Sequence, residues 1–200
     1  ARVIFGAEIP RPGQANVTVN ADDVLLGEPF SPVNRALLQT LNGDLLLSGI
    51  PARVVSKEDI WSALWGKVLY NCSLNPLGAI LEVPYGRLGE NEETRKIIRG
   101  IIEEIFLVCR ALKVSLPYKG ADDYYRFLLE TQLPPTRDHR ASMLQDILAK
   151  RKTEIEALNG AISRLASENE IPTPYNDILT LLIKFKEKRV DQGSGDLELV

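Results

Sequence analysis

Apolar residues in this chain change their period along its length. Over residues 1–9 (ARVIFGAEI) they are β-branched and nearly continuous, and over 16–20 they alternate with polar ones. Both patterns suit short strands. Arg11-Pro12-Gly13-Gln14 and Asp22-Asp23 supply turns, so three short antiparallel strands are expected across residues 1–28, ending in Val24-Leu25-Leu26-Gly27. Residues 32–41 then read as a helix and 51–55 as a short strand. Ser56-Lys57-Glu58-Asp59 has the form of a capping box, so a long helix should begin near Lys57. Asn75-Pro76 should break it, because proline disfavours helix at the residue before it and can begin a new one. Ile97, Ile98, Ile101, Ile105, Val108 and Leu112 have the spacing of a long amphipathic helix over 91–112. Further helices are expected over 122–131, 140–150, 153–169 and 175–188, with Leu133-Pro134-Pro135 as a connection.

The expected architecture is therefore mainly α. A short antiparallel β segment and connection (1–55) precedes a helical domain (56–189), and a polar, Gly-rich tail (190–200) is expected to be disordered. No internal repeat is visible. With 44% hydrophobic residues, 200 residues can bury a sizeable core. No apolar run reaches the roughly 18 residues of a membrane span, and no signal peptide is visible. The net charge is −3 with basic residues scattered among acids, which argues against nucleic acid as a partner. Cys72 and Cys109 lie deep in helical patterns and point to a reducing compartment rather than a disulfide framework.

The most apolar helical stretch, residues 61–80 (WSALWGKVLYNCSLNPLGAI), carries Lys67, Asn71 and Asn75 at four-residue steps. At about 100° per residue, these fall within an arc of roughly 80° on one helix face. Their neighbours Leu64, Trp65, Val68, Leu69, Leu74 and Leu77 suit burial. A cation and two amides in such a setting need partners, since burying them unpaired is costly. Two readings stay open on these residues alone. Lys67 can snorkel to the surface while the asparagines bond neighbouring helices, or the three can face a bound polar ligand.

A second segment, residues 141–160 (ASMLQDILAKRKTEIEALNG), bears on the choice. Together the two segments resemble the C-terminal domain of ketopantoate reductases, the 2-dehydropantoate 2-reductases of pantothenate biosynthesis. In that family the first helix carries K-x-x-x-N-x-x-x-N-P, matched here by Lys67, Asn71, Asn75 and Pro76. The later pattern, S-M-x-x-D followed by T-E-I-(D/E) and N-G, is matched by Ser142, Met143, Asp146, Thr153, Glu154, Ile155, Glu156, Asn159 and Gly160. The resemblance continues through residues 171–176 (IPTPYN) and covers the chain up to its tail.

The resemblance implies a helical domain of the 6-phosphogluconate-dehydrogenase C-terminal type, preceded by the last strands of a Rossmann cofactor domain. It implies an NADPH-dependent, cytoplasmic reductase acting on a small 2-keto acid. By the family match, Lys67 is the general acid, and Glu154 bonds the substrate hydroxyl and lies near the lysine. Asn71 and Asn75 bind substrate oxygens, and Ser142 contacts the substrate carboxylate. A lysine suits the acid role where burial lowers its pKa, and asparagine amides bind oxygens without adding charge. Unaided, Glu154 reads as a solvated residue in a helix's first turn, and Ser142 as a helix N-cap. Asp146 is expected to orient a neighbour, and Asn159-Gly160 to mark a helix irregularity or close packing.

The family's NADPH is bound mainly by an N-terminal Rossmann domain, whose strand-G-x-G-x-x-G-helix fingerprint is absent from these residues. Gly193-Ser194-Gly195 lies in the polar tail with no helix after it, so no cofactor-binding residue is assigned within this chain. No His/Cys/Asp cluster has metal-ligand spacing, and none is expected. His139, the only histidine, is expected at the surface rather than as a catalytic base. One departure concerns Tyr85, before Gly86, where many relatives have an asparagine associated with the ligand pocket. Self-association or a homodimer is expected through the surface that would meet a cofactor domain. Two alternatives stand beside this reading: another 2-keto acid or β-hydroxyacid reductase, and a non-catalytic helical association module.

Overall fold

A glycine with φ of 81°, Gly13, turns the chain between β1 (Phe5–Arg11) and β2 (Gln14–Asn20), which pair antiparallel with Phe5 opposite Asn20 and Arg11 opposite Gln14. The computed structural model describes residues 1–3, 5–11, 13–20, 22–29 and 34–191. The expected disorder of the tail lies outside the described residues from 192 onward, as does the start of the helix expected at 32. The chain divides into two compact units, Ala1–Gly66 and Lys67–Val200.

In the first unit, β3 (Val24–Leu26) corrects the expectation of a third antiparallel strand. Its three residues are all apolar and all buried, the pattern of a strand covered on both faces rather than one alternating between core and water. It pairs parallel with β4 (Ala52–Val54), Val24 opposite Ala52 and Leu26 opposite Val54. A parallel pair needs a crossover, and α1 (Arg35–Leu47) supplies it. Asn34 caps α1, its Oδ1 accepting from the Ala36 N–H at 2.9 Å. Val24, Leu26 and Ala52 form a small core under Leu38, Leu45, Ile50 and Val54.

The helix α2 (Lys57–Leu81) starts where the capping box places it, with Ser56 Oγ accepting from the Asp59 N–H at 3.0 Å. It does not break at Asn75-Pro76. All 25 residues form one helix with Pro76 inside, and residues 72–79 are buried without interruption.

The described residues that follow, up to Asp191, are mainly helical. A short α3 (Tyr85–Glu90), which the apolar pattern does not announce, precedes α4 (Glu92–Ala111). Asn91 Oδ1 caps α4 by accepting from the N–H groups of Glu93 and Thr94. Ile98, Ile101, Ile102, Ile105 and Val108 line one face of α4 and are fully buried. At roughly 1.5–3 kcal/mol for each such side chain, this stripe is a main contributor to the core. It packs against α5 (Ala121–Phe127), α7 (Asn159–Ser167) and α8 (Pro174–Asp191). A π-helical turn (Leu128–Gln132), a 3₁₀ turn (Pro134–Thr136) and α6 (Ser142–Leu148) complete the order. Among the described residues, no helix is long and apolar enough to cross a membrane.

Polar contacts near both ends of α8 tie it to the rest. Glu104, buried on α4, accepts from the backbone N–H groups of Tyr175 and Asn176 at 2.8 and 3.0 Å and from Asn176 Nδ2 at 2.6 Å. It thereby satisfies donors at the start of α8 that the helix cannot. From the other end, Lys186 Nζ donates to the Ala79 carbonyl at 2.9 Å and to Glu82 Oε1 at 2.7 Å. It supplies α2 with the cation that its own last turn lacks. The free cysteines Cys72 and Cys109 are both buried, and burial pushes the Cys109 thiol up to about 12.

Candidate active site

Proline at position 76 has no N–H, so the carbonyl four residues back, that of Cys72, loses its helical partner. Asn159 replaces it. Its Nδ2 donates to the Cys72 carbonyl at 3.2 Å and to Asn176 Oδ1 at 3.0 Å, and the residue is fully buried. This is why α2 runs on through the proline: the missing bond is made from another helix. The substitution also seats the first residue of α7 on α2, close in sequence to Asn71 and Asn75.

Along the unbroken helix, Lys67, Asn71 and Asn75 stay on one side, each about 40° from the last. Their burial is graded. Lys67 is exposed, Asn71 half-buried and Asn75 buried at 5% exposure. The burial expected for the lysine is not found, because α2 enters the core progressively and only its second half is enclosed.

Asn75 is held by Tyr85, the first residue of α3, whose hydroxyl donates to Asn75 Oδ1. Tyr85 is itself fixed on every side. Its backbone N–H donates to the His139 carbonyl at 3.0 Å, and the next N–H, of Gly86, to the Arg137 carbonyl at 2.8 Å. Its ring meets Tyr70 edge-on at 6.0 Å and His139 at 5.3 Å between centroids. Tyr70 OH lies 2.9 Å from Thr136 Oγ1, which donates onward to the Gln132 carbonyl at 2.9 Å. Burial raises the phenol pKa of both tyrosines, so both remain neutral donors at physiological pH. His139, expected at the surface, is half-buried against Tyr85.

Ser142 opens α6 and is exposed. The N-cap position belongs to Ala141, with no side-chain cap, so the N-cap reading of Ser142 is not what the structure shows. Ala141 packs on α2 at Gly78: a Cβ built there would stand 3.2 Å from Ala141 Cβ and 3.3 Å from Tyr85 Cε1. The start of α6 therefore lies beside α2, one turn beyond Asn75.

Glu154 is exposed in a turn over residues 153–158, not in a helix. The helix expected over 153–169 is reduced to α7, because Leu158 has φ −102° and ψ −104° and interrupts it. Thr153 anchors the turn, its N–H and hydroxyl donating to Glu187 Oε1 at 2.7 and 2.6 Å and its Oγ1 accepting from the Ile155 N–H at 3.3 Å. Thr153 and Ile155 are buried, leaving Glu154 directed outward between them. Asp146 accepts two bonds from Arg151, at 2.9 and 2.7 Å, in keeping with an orienting role.

A cavity of about 430 Å³, lined by Lys150, Lys152, Glu156, Lys184, Glu187 and others, borders the turn that carries Glu154 and includes none of the five expected site residues. Among the described residues, no group of three or more His, Cys, Asp or Glu could hold a metal ion. Tyr70, Tyr85 and Asn159 were not singled out for these contacts by the sequence. A signal existed for Asn159, since a proline inside a buried helix orphans a carbonyl and demands a donor.

The chain matches the family described as "Ketopantoate reductase PanE/ApbA C terminal" over residues 59–187. A 2-dehydropantoate 2-reductase of Aquifex aeolicus is 41% identical over 187 residues, covering 94% of this chain and 59% of that protein. One from Salmonella typhimurium is 30% identical over 151 residues, 75% of this chain and 48% of its own length. The chain thus spans about half to three fifths of these relatives. Among solved structures, a PanE/ApbA family ketopantoate reductase from Ralstonia eutropha superposes with a TM-score of 0.77 at 29% identity, covering 95% of this chain and 59% of that one. D-mandelate dehydrogenase with NADH and anilino(oxo)acetate gives 0.81 at 28% identity, covering 94% and 59%.

Proposed function

We propose, since this chain belongs to the ketopantoate reductase family, that it provides the substrate-binding and proton-donating part of a reductase converting 2-dehydropantoate to pantoate with NADPH. The observation that carries this reading is the single polar face of α2, Lys67, Asn71 and Asn75, with the start of α6 and the first residue of α7 both seated on the same helix.

Reduction adds a hydride to the keto carbon and a proton to its oxygen. The nicotinamide supplies the hydride when bound, and the 200 residues contain no G-x-G-x-x-G of the kind that holds a dinucleotide's pyrophosphate. What these residues can do concerns oxygen and proton. The Lys67 ammonium hydrogen-bonds the keto oxygen and gives it a proton as negative charge develops. Glu154 accepts from the new hydroxyl and orients the ammonium. Asn71 and Asn75 hold substrate oxygens, and the Ser142 hydroxyl meets the carboxylate. The exposure of Lys67, Ser142 and Glu154 suits groups that meet a ligand rather than a core. The expected self-association has an apolar surface available in Ile178, Leu181 and Leu182, exposed on α8.

A second reading, an NADH-dependent 2-hydroxy acid dehydrogenase, draws support from the likeness to D-mandelate dehydrogenase. One assay separates them: the complete gene product with ketopantoate or an aromatic 2-keto acid, each with NADPH or NADH. Ketopantoate with NADPH should give the highest kcat/KM. Lys67→Ala should lower kcat by about 10²–10⁴-fold and leave the melting temperature nearly unchanged, as Lys67 is exposed. Unchanged turnover removes Lys67 from the acid role.

A further inference from the structure

An asparagine amide presents a donor on one side and an acceptor on the other, and a half-turn about its last bond exchanges them. At 5% exposure, Asn75 has few ways of being told which side faces a ligand. Tyr85 tells it. Its phenol is 2% exposed, and among the described residues the acceptor shown for its proton is Asn75 Oδ1. Were the amide turned over, Nδ2 would meet the phenol and the phenolic proton would lose that acceptor inside the core, a costly outcome. The tyrosine cannot yield, because two backbone bonds, to His139 and Arg137, clamp its main chain and the rings of Tyr70 and His139 flank its own. Gly86 permits the clamp: a Cβ there would stand 3.0 Å from the Arg137 carbonyl oxygen.

We propose that Tyr85 is a positioning residue that locks the Asn75 amide with Oδ1 toward the phenol and Nδ2 toward the substrate. This rests on the reductase reading above and deepens it. With Nδ2 outward, Asn75 recognises a group at the substrate's 2-position that accepts a hydrogen bond, the keto oxygen. An ammonium or amide nitrogen at the same place meets donor with donor. The lock therefore selects 2-keto acids against their 2-amino counterparts, through a residue that does not touch the substrate.

The test uses the complete gene product and whichever 2-keto acid the wild type reduces fastest. Tyr85→Phe keeps the ring and removes the lock. KM for the keto acid should rise roughly tenfold, the worth of one hydrogen bond, with kcat changed less than threefold. In an Asn75→Ala background the same substitution should leave KM unchanged, whereas a purely structural role would cost the same in both backgrounds. Asn75→Asp keeps the oxygen that Tyr85 bonds and removes the amide donor. It should raise KM at least as much as Tyr85→Phe, so an unchanged KM there overturns the proposal even if Tyr85→Phe fails to fold. An active wild type whose KM is unmoved by Tyr85→Phe, or moved equally without Asn75, overturns the role of Tyr85 alone. A wild type that reduces no 2-keto acid overturns both this and the reductase reading.

Discussion

Pro76 and Asn159 lie 83 positions apart and behave as one feature. Proline removes the N–H that the Cys72 carbonyl needs, and the asparagine amide returns it from α7. Asn159→Ala should destabilise the fold by about 1–3 kcal/mol, because it strands a buried carbonyl. In a Pro76→Ala background residue 76 regains its N–H, so the penalty for Asn159→Ala should shrink. Denaturant unfolding of the four variants measures this coupling, and an equal penalty in both backgrounds would sink the account. The pair also shows how far single residues could be read from the sequence. Asn75-Pro76 was visible as a local event, and the local rule predicts a break. It could not show that a side chain from a distant segment makes good the lost bond. Lys67, Asn71 and Asn75 were legible because helical spacing alone fixes their common face. Tyr85 was legible only as a departure, since its bond to Asn75 depends on how α3 packs.

Elements defined by strong local signals came through intact, and those needing distant partners did not. The Ser56 capping box starts α2 at Lys57, and Asn91 starts α4, because side chain and backbone lie within three residues of each other. β3 misled because three apolar residues carry no sign of strand direction; only the α1 crossover makes its pairing parallel. The start of α8 depends on Glu104, 71 residues before Tyr175. Burial is the main influence on that carboxyl and raises its pKa, outweighing the N–H groups that favour its charged form. The folded chain therefore binds this proton more tightly than the unfolded chain. Its stabilising effect is complete below the ordinary value of about 4.5 and is lost as pH rises through the raised one. Relative to Glu104→Gln, which does not titrate, the wild type should lose melting temperature as pH increases from 4.5 and then level off. A difference that stays constant over that range would show that burial does not govern Glu104.

At the scale of the molecule, the mainly helical class followed from the change of apolar period, and the family from two motifs in the right order. The division at Gly66 and Lys67 was not legible, because it falls within α2, where nothing in composition changes. Function divides in a way that this chain makes testable. The five proposed substrate groups lie on α2, on α6 and in the turn before α7, and all belong to the unit Lys67–Val200. A dinucleotide's pyrophosphate is normally held by a Gly-rich turn against a helix N-terminus. The 200 residues contain no G-x-G-x-x-G to build one. A protein of these residues alone is therefore expected to fold, to show no heat of NADPH binding in the micromolar range, and to leave ketopantoate unreduced. Supplying a strand-G-x-G-x-x-G-helix domain upstream should restore both binding and turnover. Calorimetric titration decides between the outcomes: micromolar NADPH binding by the 200 residues would mean that the cofactor site is built from helices now assigned to the substrate alone.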